Sequence, residues 1–147
     1  MIFSTFVSKN SNIKGDRNSD KLNPLNTLRN LKMANLNKLV ITHLNINSIR
    51  NKFETLRSLI AQNIDICVIS ESKLDGSFPT NQFLVDGYAP PFRLDRNKHG
   101  GGVLIYVRDD IPCKLLKSHY DANEFEGIFL EINLKKKMAI FWRVNSS

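Results

Sequence analysis

The sequence predicts an α/β domain that follows a polar, basic leader. A chain of 147 residues is long enough for one domain but too short for a multi-domain protein. With 41% hydrophobic and 24% charged residues, its composition is close to the average of globular proteins. Two apolar, β-branched segments also flank a segment with helical periodicity. We therefore expect a packed core from about residue 37 onward.

Residues 1–36 are rich in Asn, Ser and Lys, and their apolar residues follow no sustained period. We expect this leader to be disordered, with a weak helix at residues 25–33 as an open alternative. Its six basic and two acidic residues give +4 of the net charge of +7, which we interpret as a solvated tail rather than a DNA-binding arm. The excess of basic residues over the whole chain favours an anionic partner, with nucleic acid as the first candidate.

A strand–helix–strand unit opens the predicted domain. Residues 39–44 are β-branched and apolar and predict a strand. From Ile49, apolar residues recur at i+4, i+7 and i+11, and Ser48 offers an N-cap oxygen, so we expect a helix over residues 48–62. Residues 64–70 are too apolar for a half-exposed strand. They predict a strand that is parallel to the first and buried on both faces.

The remaining sequence predicts a long loop and more strands. After Glu71, turn residues occur at Asp75–Gly76 and Asp86–Gly87. The lysines at 135–137 separate the last two apolar runs, so we interpret them as a solvated hairpin turn rather than a nuclear-localisation signal. The apolar runs that predict strands are 103–107, 128–132 and 138–142.

Several classes of protein are excluded or disfavoured. The chain has no apolar run of the ~18 to 20 residues that cross a bilayer, so we expect an intracellular protein with no membrane partner. Cys67 and Cys113 are too few for a disulfide scaffold and lack metal-ligand spacing, and Cys67 is predicted to be a core residue. Residues 100–102 are glycines that precede a strand instead of a helix. We expect them to allow tight backbone packing and not to form a phosphate-binding Walker loop.

Polar residues follow the two strands that are predicted to be parallel. Asn45 comes after the first strand and Glu71 after the second. The carboxyl ends of such strands open on one edge of the sheet, where ligand sites collect. An amide beside a carboxylate suits Mg²⁺, which usually takes one or two protein carboxylates and fills its shell with water and phosphate. Spacing alone does not distinguish such a site from turn-forming or solvated residues.

Three blocks of sequence resemble the endonuclease domain of non-LTR (LINE-type) retrotransposons. That domain belongs to the endonuclease/exonuclease/phosphatase superfamily, whose fold is similar to that of DNase and of apurinic/apyrimidinic endonuclease. The resemblance runs from about residue 37 to about 137. It implies that residues 37–147 form the N-terminal half of a DNase-like four-layer α/β sandwich. The blocks are LNINSIRNKF (44–53), DICVISESKLDGSFP (65–79) and FLVDGYAPPFRLDRNKHGGGVLIYVRDDIP (83–112).

The resemblance also implies an activity, which is the Mg²⁺-dependent nicking of DNA phosphodiester bonds. Asn45 matches the residue that helps to orient the scissile phosphate or the attacking water. Glu71 matches the Mg²⁺-binding carboxylate, and Asn47 and Lys73 occupy supporting positions. A complete element would carry a reverse transcriptase domain toward its C-terminus and would act on DNA in the nucleus.

Other residues of the three blocks have less defined roles. Arg93 and Arg96 belong to an R-L-D-R signature, for which structural ion pairs and contact with DNA are both open. This signature and the G-G-G-V-L-I-Y-V block argue against a phosphatase or a sphingomyelinase-like phosphoesterase of the same superfamily. The histidines do not match the general base of the family, which belongs to a Ser-Asp-His motif. They are His43, His99 and His119.

The chain contains neither the Gly-Asp-Phe-Asn motif nor the Ser-Asp-His motif of the family, both of which follow the matched region in relatives. The resemblance also fades after residue 137, and Val144 stands where relatives carry a tyrosine. We therefore expect a fragment that is inactive alone, with a non-catalytic, weakly nucleic-acid-binding protein as the alternative function. Because the second sheet of the sandwich would come from the absent half, we also expect the apolar face of the strands to lack a partner.

Overall fold

The computed structural model describes residues 2–7, 24–34, 36–61, 64–121, 125–133 and 137–145. Within these residues the chain is mixed α/β, with one five-stranded and one three-stranded sheet. The helices and strands in chain order are β1 (Ile2–Val7), α1 (Pro24–Met33), β2 (Val40–Asn45), α2 (Phe53–Ile60), β3 (Ile66–Ser70), a short 3₁₀ helix (Thr80–Phe83), β4 (Phe92–Leu94), β5 (Val103–Val107), β6 (Cys113–Tyr120), β7 (Phe125–Asn133) and β8 (Lys137–Asn145).

The predicted strand–helix–strand unit is confirmed. In the five-stranded sheet, with strand order β1-β2-β3-β5-β4, strands β2 and β3 are parallel and Asn45 lies opposite Ser70. The predicted start of the helix is wrong, because α2 begins only at Phe53 and no side chain caps it. The backbone N–H of Ser48 instead donates to the carbonyl oxygen of Glu71, so the chain continues beside β3 before the helix starts. α2 ends at Ile60, and the predicted end at residue 62 lies outside the described residues.

One face of the five-stranded sheet is covered by the helices and by the loop after β3. The side chains of this core come from both helices, from β2, β3 and β5, and from that loop. Cys67 is one of them, as predicted, and burial raises the pKa of its thiol to about 12. Two buried tyrosine hydroxyls tie the layers together, since Tyr88 donates to the carbonyl oxygen of Ile60 at 2.5 Å and Tyr106 to that of Phe83 at 2.9 Å.

The opposite face of the sheet is covered by the three-stranded sheet, β6-β7-β8. Alternate residues of β3 and β5 point away from the helices and form a second core with residues of β7. The expectation that this face lacks a partner is therefore wrong, because a sheet formed by the chain itself lies against it. The buried members of this core are Ile66, Val68, Val103, Ile105, Val107, Ile111, Ile128, Leu130 and Ile132.

The segment predicted to be a disordered leader contains two elements of the fold. β1 pairs antiparallel with β2, and α1 lies at residues 24–33, close to the alternative helix at residues 25–33. The prediction of a leader without regular structure is therefore wrong for these two elements. Tertiary contacts override the weak local signal, because Leu28 is buried in the core and Lys32 pairs with Asp65 at 2.6 Å. Residues 8–23 lie outside the described part of the chain.

The other strand predictions differ in their bounds. β5 lies at the predicted residues, whereas β7 and β8 are longer than the apolar runs that predicted them. β4 is only three residues long, and β6 mixes exposed leucines with lysines and contains a register shift at Leu115, so neither has a clear sequence signal. Of the predicted lysine turn, Lys137 begins β8, and residues 134–136 lie outside the described residues.

Candidate functional site

Three loops lie side by side at the carboxyl ends of β2 and β3. The loop after β2 is joined to the loop after β3 by the hydrogen bond from Ser48 N to Glu71 O, at 2.8 Å. The loop after β3 is joined in turn to the glycine segment before β5, where Lys73 N donates to Gly101 O at 3.0 Å. These bonds continue the sheet beyond its strands. They place Asn45 and Glu71 on the same edge, as predicted.

The backbone of these loops is strained. In the described part of the chain, the non-glycine residues with positive φ are Asn47 (φ 47°), Ser48 (φ 78°), Glu71 (φ 57°) and Lys73 (φ 55°). A non-glycine residue held in this region costs on the order of 1 to 3 kcal/mol, and such residues concentrate at functional sites. All four lie in the loops after β2 and β3, and three of them are residues to which the sequence assigns a site role.

The carboxylate of Glu71 lies at an open depression of about 400 Å³. Its Oε2 accepts a hydrogen bond from the backbone N–H of Gly101 at 3.0 Å, which orients the carboxylate. A carboxylate has acceptor capacity on both oxygens, so this single bond leaves capacity for a cation or for water. The residues that line the depression are Glu71, Arg96, Asn97, His99, Gly100 and Gly101.

The predicted supporting residues are in contact with each other. Lys73 Nζ donates to Asn47 Oδ1 at 2.6 Å, and Asn47 N donates to Asn45 Oδ1 at 3.2 Å. Lys52, which the sequence did not single out, donates to the carbonyl oxygens of Ile46 and Asn47 at 2.6 and 2.9 Å. Two lysines therefore hold the strained loop after β2, and they place its amide groups beside the edge that carries Glu71.

The guanidinium of Arg93 makes several contacts within the chain. Its guanidinium pairs with Asp95, with Nη2 and Nε at 2.6 and 3.2 Å from the two carboxylate oxygens. Its remaining N–H groups reach Thr80 Oγ1 and the carbonyl oxygens of Phe78 and Asp75, which anchors the loop after β3. Of the two roles left open by the sequence, these contacts favour the structural ion pair, because the donors are already engaged within the chain.

Arg96 differs from Arg93, because it lines the depression that holds Glu71. Its Nη1 lies 3.4 Å from Oε1 of Glu126, a buried carboxylate on β7. A guanidinium has five N–H donors, so this long contact leaves donors for an anion in the depression. Neither Glu126 nor this ion pair could be read from the sequence, because Arg96 lies between β4 and β5 whereas Glu126 lies on β7 of the other sheet.

Of the three glycines before β5, Gly101 and Gly102 pack tightly, as predicted, whereas Gly100 does not. A Cβ added to Gly101 would lie 2.5 Å from both Arg96 Cδ and Glu126 Oε1, and one added to Gly102 would lie 2.3 Å from Ser72 Oγ. Both glycines also have positive φ, at 70° and 89°. Only glycine combines this backbone conformation with so little space, so the carboxylates of Glu71 and Glu126 can both reach the backbone here.

The histidines occupy different surroundings. His43 is half-buried, with Nε2 2.9 Å from Ser70 Oγ, and burial lowers its pKa, so its ring is favoured in the neutral form. His99 lies at the depression, a position the sequence did not predict. It belongs to a turn in which Asn97 Oδ1 accepts hydrogen bonds from the backbone N–H groups of His99 and Gly100 at 2.9 and 3.0 Å. Asn–X–His–Gly turn chemistry is the signal that could have located this loop.

The depression offers few ligands for Mg²⁺. Among the described residues, no three His, Cys, Asp or Glu side chains are grouped closely enough to hold a metal ion together. Glu71 is the carboxylate that lines the depression, and the predicted site residues Asn45, Asn47 and Lys73 are not among its lining residues. A single oriented carboxylate fits a weakly held Mg²⁺ that takes most of its ligands from water and from a substrate phosphate.

Comparisons with known protein families and with curated proteins found no match for this chain. Within the described residues, the structure contains no helix that is both long enough and apolar enough to cross a membrane.

Proposed function

We propose that this chain is the metal- and phosphate-binding half of a Mg²⁺-dependent DNA endonuclease of the LINE-type retrotransposon kind. In this proposal, residues 37–147 correspond to the N-terminal half of a DNase-like sandwich, and the chain alone binds DNA without cutting it. The observation that carries the proposal is that Glu71 and Arg96 line one depression at the edge where two parallel strands end.

The chemistry of phosphodiester hydrolysis assigns a role to each of these groups. Glu71, oriented by Gly101, would hold the Mg²⁺, which when bound supplies Lewis-acid polarisation of a phosphoryl oxygen. Arg96 would bind a non-bridging phosphate oxygen and stabilise the charge that develops there. The amides of Asn45 and Asn47 would orient the phosphate or the attacking water. Their positions are supported by the strained loop that the two lysines hold.

The same groups do not amount to a complete active site. In-line hydrolysis also needs a base that activates water and, in general, further ligands for the metal. The proposal therefore assigns the remaining catalytic groups to a half of the domain that this chain does not contain. A complete element would join this domain to a reverse transcriptase domain and would act in the nucleus.

The alternative is a non-catalytic protein that binds nucleic acid through its charge alone. The net charge of +7 supports this alternative, because cationic side chains attract phosphate whatever the arrangement of a site. The two proposed functions predict different effects of removing the Glu71 carboxylate. Charge-driven binding becomes stronger or stays unchanged when a carboxylate is removed, whereas a metal site loses its ligand.

The test uses Mn²⁺ as a spectroscopic substitute for Mg²⁺. Electron paramagnetic resonance would measure the free Mn²⁺ in the presence of the full chain, with and without a short DNA duplex. Glu71→Gln should weaken Mn²⁺ binding by roughly tenfold or more. The control is Glu54→Gln, which removes an exposed carboxylate on α2 and should leave Mn²⁺ binding unchanged. Equal binding by the wild type and Glu71→Gln would contradict the proposed function.

A further inference from the structure

Glu126 is a buried carboxylate that connects the three-stranded sheet to the candidate site. It belongs to β7, and its side chain is only 1% exposed. Its Oε2 accepts a hydrogen bond from Gly102 N at 2.8 Å. Its Oε1 has no hydrogen-bond partner among the described residues, and Arg96 Nη1 lies 3.4 Å away.

A carboxylate in this position must be held by its partners. Burying an ionised group without compensation is strongly unfavourable, so the Arg96 guanidinium and the Gly102 N–H are both needed to stabilise the charge of Glu126. Glu126 in turn holds its two partners in place. It fixes the Arg96 side chain, which lines the depression, and the backbone at Gly102.

The backbone at Gly102 leads directly to Glu71. The preceding residue, Gly101, donates its N–H to Glu71 Oε2. Two consecutive amides therefore hold the carboxylate of Glu71, in the loop after β3, and that of Glu126, on β7. The Glu126 carboxylate also fills the space beside Gly101, where an added Cβ would lie 2.5 Å from Oε1. A displacement of Glu126 would therefore change the position of the amide that orients Glu71.

We propose that Glu126 is a positioning residue for the site in the depression. Through Gly102 it holds the Gly101 N–H against the Glu71 carboxylate, and through Arg96 it holds the phosphate-binding guanidinium. This inference rests on the proposed function for its purpose. Its structural content, that Glu126 controls the contact between Gly101 and Glu71, can be tested without any ligand.

The ligand-free test follows the Gly101 amide of the ¹⁵N-labelled full chain by NMR at a single pH. Glu71→Gln replaces the charged acceptor of this amide with a neutral one, so the amide proton should move. When Glu71→Gln is made in a chain that also carries Glu126→Gln, the movement should be smaller by at least about half, because the amide no longer faces residue 71. Glu131→Gln, on the same strand, should retain it in full. A full movement in Glu126→Gln would overturn the inference.

A second variant addresses the loss of a buried charge, which could unfold Glu126→Gln. Glu126→Asp keeps the charge but shortens the side chain by one methylene, so it cannot reach both Gly102 N and Arg96. It should also reduce the movement of the Gly101 amide in a folded chain, as judged by a dispersed NMR spectrum. Full movement in this variant would equally overturn the inference.

The ligand-dependent test measures Mn²⁺ binding of the same variants. Both Glu126 substitutions should weaken binding in the same direction as Glu71→Gln, but by a smaller factor, because they displace the ligand without removing it. Equal Mn²⁺ binding by the wild type and Glu71→Gln would reject the metal site, and the comparison of the Gly101 amide between variants would still decide the role of Glu126. Weaker binding in Glu71→Gln with unchanged binding in both Glu126 variants would reject the positioning role alone.

Discussion

Lys32 Nζ lies 2.6 Å from Asp65 Oδ2, which joins helix α1 to the start of strand β3. The same carboxylate group accepts hydrogen bonds from Arg108 Nη1 at 2.5 Å and from Val40 N at 2.7 Å. Asp65 is completely buried, so this cluster links α1, β2, β3 and the end of β5 at the sheet edge opposite the candidate site. Residues 24–33 are therefore part of the folded domain.

Loss of Asp65 should destabilise the chain more than loss of Lys32. Asp65→Ala removes the common partner of two cations and leaves the buried N–H of Val40 unsatisfied, so the free energy of unfolding should fall by about 3 to 5 kcal/mol. Lys32→Ala leaves Asp65 paired with Arg108 and should cost about 1 to 2 kcal/mol. Urea unfolding would measure both. Arg29→Ala, at an exposed position of the same helix, is the control and should change stability little.

Neighbouring glycines should respond differently to the same substitution. Gly101→Ala places a Cβ 2.5 Å from Arg96 and Glu126 at a positive φ, so it should lower the free energy of unfolding by on the order of 2 kcal/mol and weaken Mn²⁺ binding. Nothing lies within 4 Å of a Cβ at Gly100, so Gly100→Ala should be nearly neutral. Thermal unfolding of the two variants would check this. Similar losses in both would contradict the packing described for Gly101.

Stability should depend on pH through His43. Burial lowers the pKa of His43 in the folded chain below its ordinary value of 6.5. Between these two pKa values the unfolded chain binds a proton that the folded chain does not, so stability is full above pH 6.5 and falls as the pH is lowered. Urea unfolding at pH 7.5 and 5.5 should show a smaller difference for His43→Gln than for the wild type. His99→Gln, at an exposed position, should keep the wild-type difference.

The full chain should bind DNA without nicking it. Catalytic groups that act together lose most of their effect when some are absent, so a supercoiled plasmid should stay intact in the presence of Mg²⁺. Binding through Lys and Arg releases counterions and should be near background by ~0.2 M salt. A plasmid assay and a salt titration would test both statements. Nicking that is lost in Glu71→Ala would show that the chain is a complete nuclease, and salt-insensitive binding would show that phosphates are not what it contacts.

A chimera supplies the positive counterpart of this assay. Under the proposed function, joining the chain to the C-terminal half of a LINE-type endonuclease domain should produce Mg²⁺-dependent nicking. Glu71→Ala in that chimera should then abolish nicking and leave the circular dichroism spectrum nearly unchanged, because Glu71 lies in a loop at the edge of the sheet. Nicking retained by the variant would remove Glu71 from the mechanism.

The elements that the sequence predicted correctly are those whose signal is local. β3 and β5 are short apolar runs buried on both faces, and α2 has a regular apolar period. The start of α2 and the formation of α1 depend on tertiary contacts. The N–H of Ser48 pairs with Glu71 instead of starting a helix, and α1 is stabilised by Asp65, a residue distant in sequence. β6 is mostly exposed, so it carries no apolar pattern that would predict a strand.

The sequence also predicted only part of the candidate site. The sequence placed Asn45 and Glu71 at one sheet edge because the topology of a parallel pair requires it. It did not predict the role of Glu126, because the approach of β7 to Gly102 depends on how the two sheets pack. The sequence also did not predict the positive φ angles of Glu71 and Lys73, since neither residue type favours positive φ.

The pairing of β1 with β2 has a practical consequence for experiments on this chain. Ile2 lies opposite Asn45, so the N-terminal end of the described chain is at the same sheet edge as the loops that carry Glu71. A purification tag attached there would begin at the sheet edge that carries these loops. A small fluorophore or nitroxide at residue 2 would instead serve as a probe, because its emission or relaxation would change when a metal ion or an oligonucleotide arrives nearby.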